Sequence, residues 1–103
     1  MIDNNTVEFI RLCTGRRTLL EALAEESTEL GQAALKVIRS QGLNENPTPV
    51  TSSEALEKLA EELVDVLMIV YVMGYNLDVI LAEMKNSPKW NRWVQRISEG
   101  GVK

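Results

Sequence analysis

Nine of the chain's 15 acidic residues fall in two short segments. Glu21, Glu25, Glu26 and Glu29 lie in one stretch that holds no base. Glu54, Glu57, Glu61, Glu62 and Asp65 lie in another, where Lys58 is the only base. Phase matters more than number. Residues three apart on a helix point the same way, with Cβ atoms about 5–6 Å apart. Leu19, Ala22, Glu26, Glu29 and Ala33 follow the 3–4 spacing of a helix seam that faces a partner, and so do Ala55, Lys58, Glu62, Asp65, Ile69 and Val72. Glu26 with Glu29, and Glu62 with Asp65, therefore form two inward carboxylate pairs. Four such groups with no base among them would repel once desolvated. A divalent cation removes that conflict. Oxygen ligands without His or Cys select a hard ion, Mg²⁺, Mn²⁺ or Ca²⁺, and Mg²⁺ is favoured inside a cell. Glu25, Glu57 and Glu61 fit a solvated face instead.

The two seams require two long helices. Apolar residues at Leu20, Leu23, Leu30, Ala34, Val37 and Ile38 predict one from about Arg16 to Gln41, with Gly42 as its stop. Asn44, Asn46, Pro47 and Pro49 make Leu43 to Val50 a loop. Thr51 and Glu54 fit a capping box that starts the second long helix, which runs to about Gly74. From Leu63 it is apolar on nearly every side, the pattern of a helix buried in a core or against another subunit. Short helices precede and follow. One spans about Thr6 to Cys13 behind the capping residues Asn4 and Asn5. Another reaches Lys85 behind Asn76 or Asp78. A last one begins at Ser87-Pro88 and carries Trp90, Trp93, Val94 and Ile97. Cys13 reads as a packing residue, and the two tryptophans as anchors for the last helix. No stretch alternates as a strand would. The expectation is a single all-α domain over residues 1–103. It is a helical bundle of two long antiparallel helices plus shorter ones, with a four-helix-type core completed by oligomerisation.

Composition narrows the chemistry. The chain has 103 residues, a net charge of −4, no His and one Cys. Lack of His removes His-based catalysis and Glu-x-x-His di-iron sites. A single Cys allows no internal disulfide. The acidic balance argues against nucleic acid as a partner. No apolar run is long enough to span a bilayer, and the polar start carries no signal-peptide pattern, so no membrane is implied and the location is read as cytoplasmic. Ser27 and Thr28 have no adjacent base, which disfavours a covalent mechanism.

Glu25-Glu26-Ser27-Thr28-Glu29 followed after 32 residues by Glu62-Leu63-Val64-Asp65 resembles the MazG-like all-α nucleoside triphosphate pyrophosphohydrolases. The similarity runs from about Leu19 to Ile97. It implies a homodimer or homotetramer that hydrolyses a nucleoside or deoxynucleoside triphosphate to the monophosphate and pyrophosphate. Mg²⁺ is the implied cofactor, with Mn²⁺ as a substitute, and nucleotide-pool housecleaning is the implied role. Carried over, the metal ligands are Glu26, Glu29, Glu62 and Asp65, and Glu25 is a further catalytic carboxylate that orients water. Lys36, Arg39, Lys85 and Arg92 are the implied phosphate contacts. Such chemistry needs positioning and charge neutralisation more than a side-chain nucleophile. Two alternatives stand beside it: phosphoribosyl-ATP pyrophosphohydrolase, and a non-enzymatic acidic helical dimerisation module. A small Ca²⁺-binding protein ranks below both, because no EF-hand loop is present.

Overall fold

Short polar side chains start most of the helices. In the computed structural model, which describes residues 2–42 and 51–100, Asp3 accepts hydrogen bonds from the Asn5 backbone N–H (3.0 Å) and from Thr6 Oγ1 (2.8 Å). It caps helix α1, Asn4–Cys13. The cap is thus Asp3 rather than Asn4 or Asn5, whose backbones are already helical. Helix α2, Arg16–Ser40, follows Gly15 without a side-chain cap. It ends at Gly42, whose φ of 69° is the left-handed conformation that terminates helices. Thr51 Oγ1 accepts from the Glu54 N–H at 3.1 Å and opens α3, Ser52–Val72. Asn76 Oδ1 accepts from the N–H groups of Asp78 and Val79 to open α4, Leu77–Lys85. Ser87 Oγ accepts from the Lys89 N–H, and α5 runs over Lys89–Ser98. Among the described residues the fold is all helix and no strand. The loop expected over 43–50 and the chain end at 101–103 lie outside the described residues.

Helices α2 and α3 form the main packed pair, and α1 lies against α3. The pair is antiparallel: Gln41 Nε2 donates to Ser52 Oγ at 3.2 Å beside the connection, and Glu26 meets Glu62 further along both helices. Arg11 fastens α1 in place. Its Nε donates to the Val72 carbonyl at 2.7 Å, satisfying one of the free carbonyls at the end of α3. Tyr71 Oη donates to Asn4 Oδ1 at 3.3 Å.

The packed interior of one chain is small. Among the described residues, Val7, Ala33 and Ala55 are the buried apolar ones. Leu63, Val64, Leu67 and Met68 stay exposed on α3, so the all-round apolar segment is covered only in part by its own chain. Cys13 is exposed, not a packing residue. Helices α4 and α5 pack on neither long helix to any extent. Consequently the radius of gyration is 17.3 Å, against about 13 Å for a compact domain of this length. No single helix among the described residues is long and apolar enough to cross a membrane. The apolar α3 and α4 together are bent by 110°.

Candidate metal centre

The helical seam places carboxylates where small residues would otherwise close the contact. Ala33 and Ala55 are 4 % exposed and let the two backbones approach. Two turns along, Glu26 from α2 meets Glu62 and Asp65 from α3. One carboxylate oxygen from each lies within 4.8 Å of the others. Glu62 is 3 % exposed, and Glu26 and Asp65 are half-buried. Glu26 Oε2 and Glu62 Oε2 are both buried without a hydrogen-bond partner. An unpartnered buried carboxylate oxygen is costly and calls for a proton or a cation.

Electrostatics agree with the geometry. Burial first, and then the charge of nearby Glu29, push the Glu26 carboxyl up to about 7. Glu62 and Asp65 reinforce that shift. The Glu62 carboxyl moves the other way, below its ordinary value, because Lys58 donates to it. Lys58 Nζ sits 2.9 Å from Glu62 Oε1 and 3.6 Å from Glu61 Oε2. One base therefore does stand among the inward acids, contrary to the expectation of four unpaired carboxylates. The helix spacing permits that pairing, since Lys58 lies on the same seam, four residues before Glu62.

Glu29 is exposed and lies just outside the group of three, although its charge acts on Glu26. Glu29 and Glu62 border a cleft of about 240 Å³ together with Gln32, Ala33, Lys36 and Lys58. The cleft places Lys36 beside the acids, as its position seven residues after Glu29 implies. Gln32, a polar side chain one turn past Glu29, was not singled out from the sequence. Glu25 is exposed on α2, outside the group of three.

No family model, curated protein or solved structure matches the chain. The site therefore has to be read from its own side chains. Its donors are all oxygens, they come from two helices, and two of them lack partners. That set fits a hard divalent cation, with Glu26, Glu62 and Asp65 as ligands and Glu29 at the edge.

The remaining basic residues are dispersed. Arg39 is half-buried near the end of α2. Lys85 is exposed in the last turn of α4. Arg92 lines a different and larger cleft of about 950 Å³ between α4 and α5, with Met84, Trp90, Trp93 and Arg96. The Trp90 and Trp93 rings stack there, 6.2 Å apart and parallel within 1°. Trp90 Nε1 also donates to the Met84 carbonyl. Size does not make this cleft the chemical centre. It is an open groove between two helices that pack on little else, and its two carboxylates, Glu83 and Glu99, belong to no group of three that could share an ion among the described residues.

Proposed function

We propose that the chain is a Mg²⁺-dependent hydrolase that cleaves a nucleoside or deoxynucleoside triphosphate to the monophosphate and pyrophosphate. The observation that carries this reading is the oxygen-only group of Glu26, Glu62 and Asp65, with two buried carboxylate oxygens left unpartnered. When bound, Mg²⁺ supplies charge neutralisation for the phosphates and activates water for attack. Glu26, Glu62 and Asp65 hold the ion between α2 and α3. Glu29 stands next to them at the cleft, positioned to accept a proton from the attacking water. Lys36 faces the phosphates from the cleft wall. Water adds to phosphorus at the α–β anhydride, and pyrophosphate leaves. Glu25 is too exposed to share the ion and orients solvent at most.

The active form is a homodimer or homotetramer. Exposed Leu63, Val64, Leu67 and Met68, together with Trp93 and Val94, form apolar surface that one chain leaves uncovered. Lys85 and Arg92 reach phosphate only if assembly brings α4 and α5 toward a neighbouring cleft, and Arg39, near the end of α2, lies off the cleft that Lys36 borders. Removal of non-standard or surplus nucleotides in the cytoplasm is the role that goes with this reaction.

Pyrophosphate release from a panel of ribo- and deoxynucleoside triphosphates, with and without Mg²⁺, tests the proposal. Release that requires both Mg²⁺ and Asp65 supports it. Phosphoribosyl-ATP belongs in the same panel. Inactivity throughout, with no change of melting temperature on adding Mg²⁺, would leave an acidic dimerisation module as the better reading.

A further inference from the structure

Lys58 occupies an unusual place for a helix-surface base. Its partner Glu62 has a side chain 4 % exposed, whereas the Lys58 side chain is 56 % exposed. A buried carboxylate thus meets a base whose side chain is more than half exposed. The order Lys then Glu four residues later is the weaker orientation for a pair on one helix, so helix stability alone is a poor reason for it. Geometry supplies a better one. The ammonium satisfies Glu62 Oε1 while Glu62 Oε2 stays unpartnered, and Lys58 borders the same cleft as Lys36 and Glu29.

We propose that Lys58 is an internal counter-ion that a divalent cation displaces and the anionic substrate then recaptures. This rests on the metal-site reading above. Without the cation, Lys58 neutralises the buried Glu62 carboxylate and keeps the seam closed. With the cation on Glu62, the ammonium loses its partner. It can rotate on its exposed stem into the cleft, where Lys36 already stands. Two ammonium groups then face the phosphates from opposite helices. The residue opposes cation binding in the empty protein and favours anion binding in the loaded one.

These two roles give effects of opposite sign, which a purely structural ion pair would not. Lys58→Met keeps the stem and removes the charge. Calorimetric titration with Mn²⁺ should show binding roughly tenfold tighter than wild type, while inorganic pyrophosphate at saturating Mg²⁺ should bind roughly tenfold more weakly. Lys58→Arg should keep both constants near wild type. It also serves if the methionine variant, which leaves Glu62 unpaired, does not fold. Amine labelling of the wild type, followed by mass spectrometry, reads the motion directly. Lys58 should label slowly alone, faster with Mg²⁺, and slowly again with Mg²⁺ and pyrophosphate. Binding constants that move in the same direction, or labelling indifferent to Mg²⁺, would overturn the role of Lys58 alone. Wild type that binds neither Mn²⁺ nor Mg²⁺ would overturn the metal site and this role together.

Discussion

Helices α2 and α3 hide charge in their seam and show acids to solvent. Helix α5 does the reverse, exposing Trp90, Trp93, Val94 and Ile97 beside Lys89, Arg92 and Arg96. Residues 1–84 hold six basic and fourteen acidic side chains, and residues 85–103 hold five basic and one acidic. The difference separates two tasks. Buried like charges are costly wherever they occur, so their persistence between α2 and α3 points to a ligand. Exposed apolar surface with flanking bases points to another surface, and an acidic copy of the same chain has the complementary charge.

The sharpest way to break this comparison is to neutralise one residue in each region. Asp65→Asn or Glu26→Gln should lower Mg²⁺-dependent pyrophosphate release by roughly 100-fold or more, since even residues that only support metal ligands cost about 10–100-fold. Arg92→Ala should cost less, and at protein concentrations that keep the variant assembled its Mg²⁺ affinity should match wild type. Equal losses at Asp65 and Arg92 would mean that the two regions form one site.

Assembly comes next in size. Trp93→Glu puts a charge into the apolar stripe of α5. Analytical ultracentrifugation should show a dissociation constant at least roughly tenfold higher, in keeping with loss of a buried aromatic anchor. An unchanged sedimentation profile would assign the contact to the exposed face of α3 instead, where Met68→Glu is the next variant.

Proton linkage is a smaller effect with a definite sign. The folded chain raises Glu26 to about 7 from an ordinary 4.5. Below pH 4.5 this carboxyl is protonated whether folded or not and costs nothing. Between the two values the folded state holds a proton that the unfolded state has lost, so stability falls as pH rises. Above 7 the cost is complete. The Mg²⁺-free protein should therefore melt lower at pH 8 than at pH 5.5 through this group. Mg²⁺ should raise the melting point most at pH 8, and at a hundredfold excess over Kd the added stability is about 2.7 kcal/mol. Glu26→Gln should flatten the dependence. Glu62 and Lys58 act oppositely: their mutual stabilisation is present at neutral pH and fades as pH falls through the lowered value of Glu62.

Much of this arrangement was readable from residue spacing. Helix periodicity and the side chains of Thr51 and Asn76 marked where α3 and α4 begin. The seam phase placed Glu26, Glu62 and Asp65 inward, which is where they lie. Three features needed coordinates. Glu29 stays outside the group of three yet close enough to act on Glu26, a matter of side-chain reach that spacing does not fix. The pairing of Lys58 with Glu62 depends on a rotamer, which spacing permits but does not select. Exposure of Cys13 and Trp93 follows from how few contacts α1 and α5 make, and a pattern of apolar residues says only that a surface wants covering.

The smallest expected effect probes the acids that the comparison treats as mere solvated charge. Glu21 pairs with Arg17 at 2.8 Å, with side chains 60 % and 93 % exposed. An exposed pair four residues apart on a helix contributes about 0.3–0.5 kcal/mol, screened by salt. Glu21→Gln should shift the melting temperature by no more than about 2–4 °C at low salt and less at high salt. Turnover and Mg²⁺ affinity should not change. A clearly larger loss, especially one that grows as protein is diluted, would show that Glu21 is covered in the assembled protein. The acidic face of α2 would then be the surface that meets the basic side of α5 from a second copy.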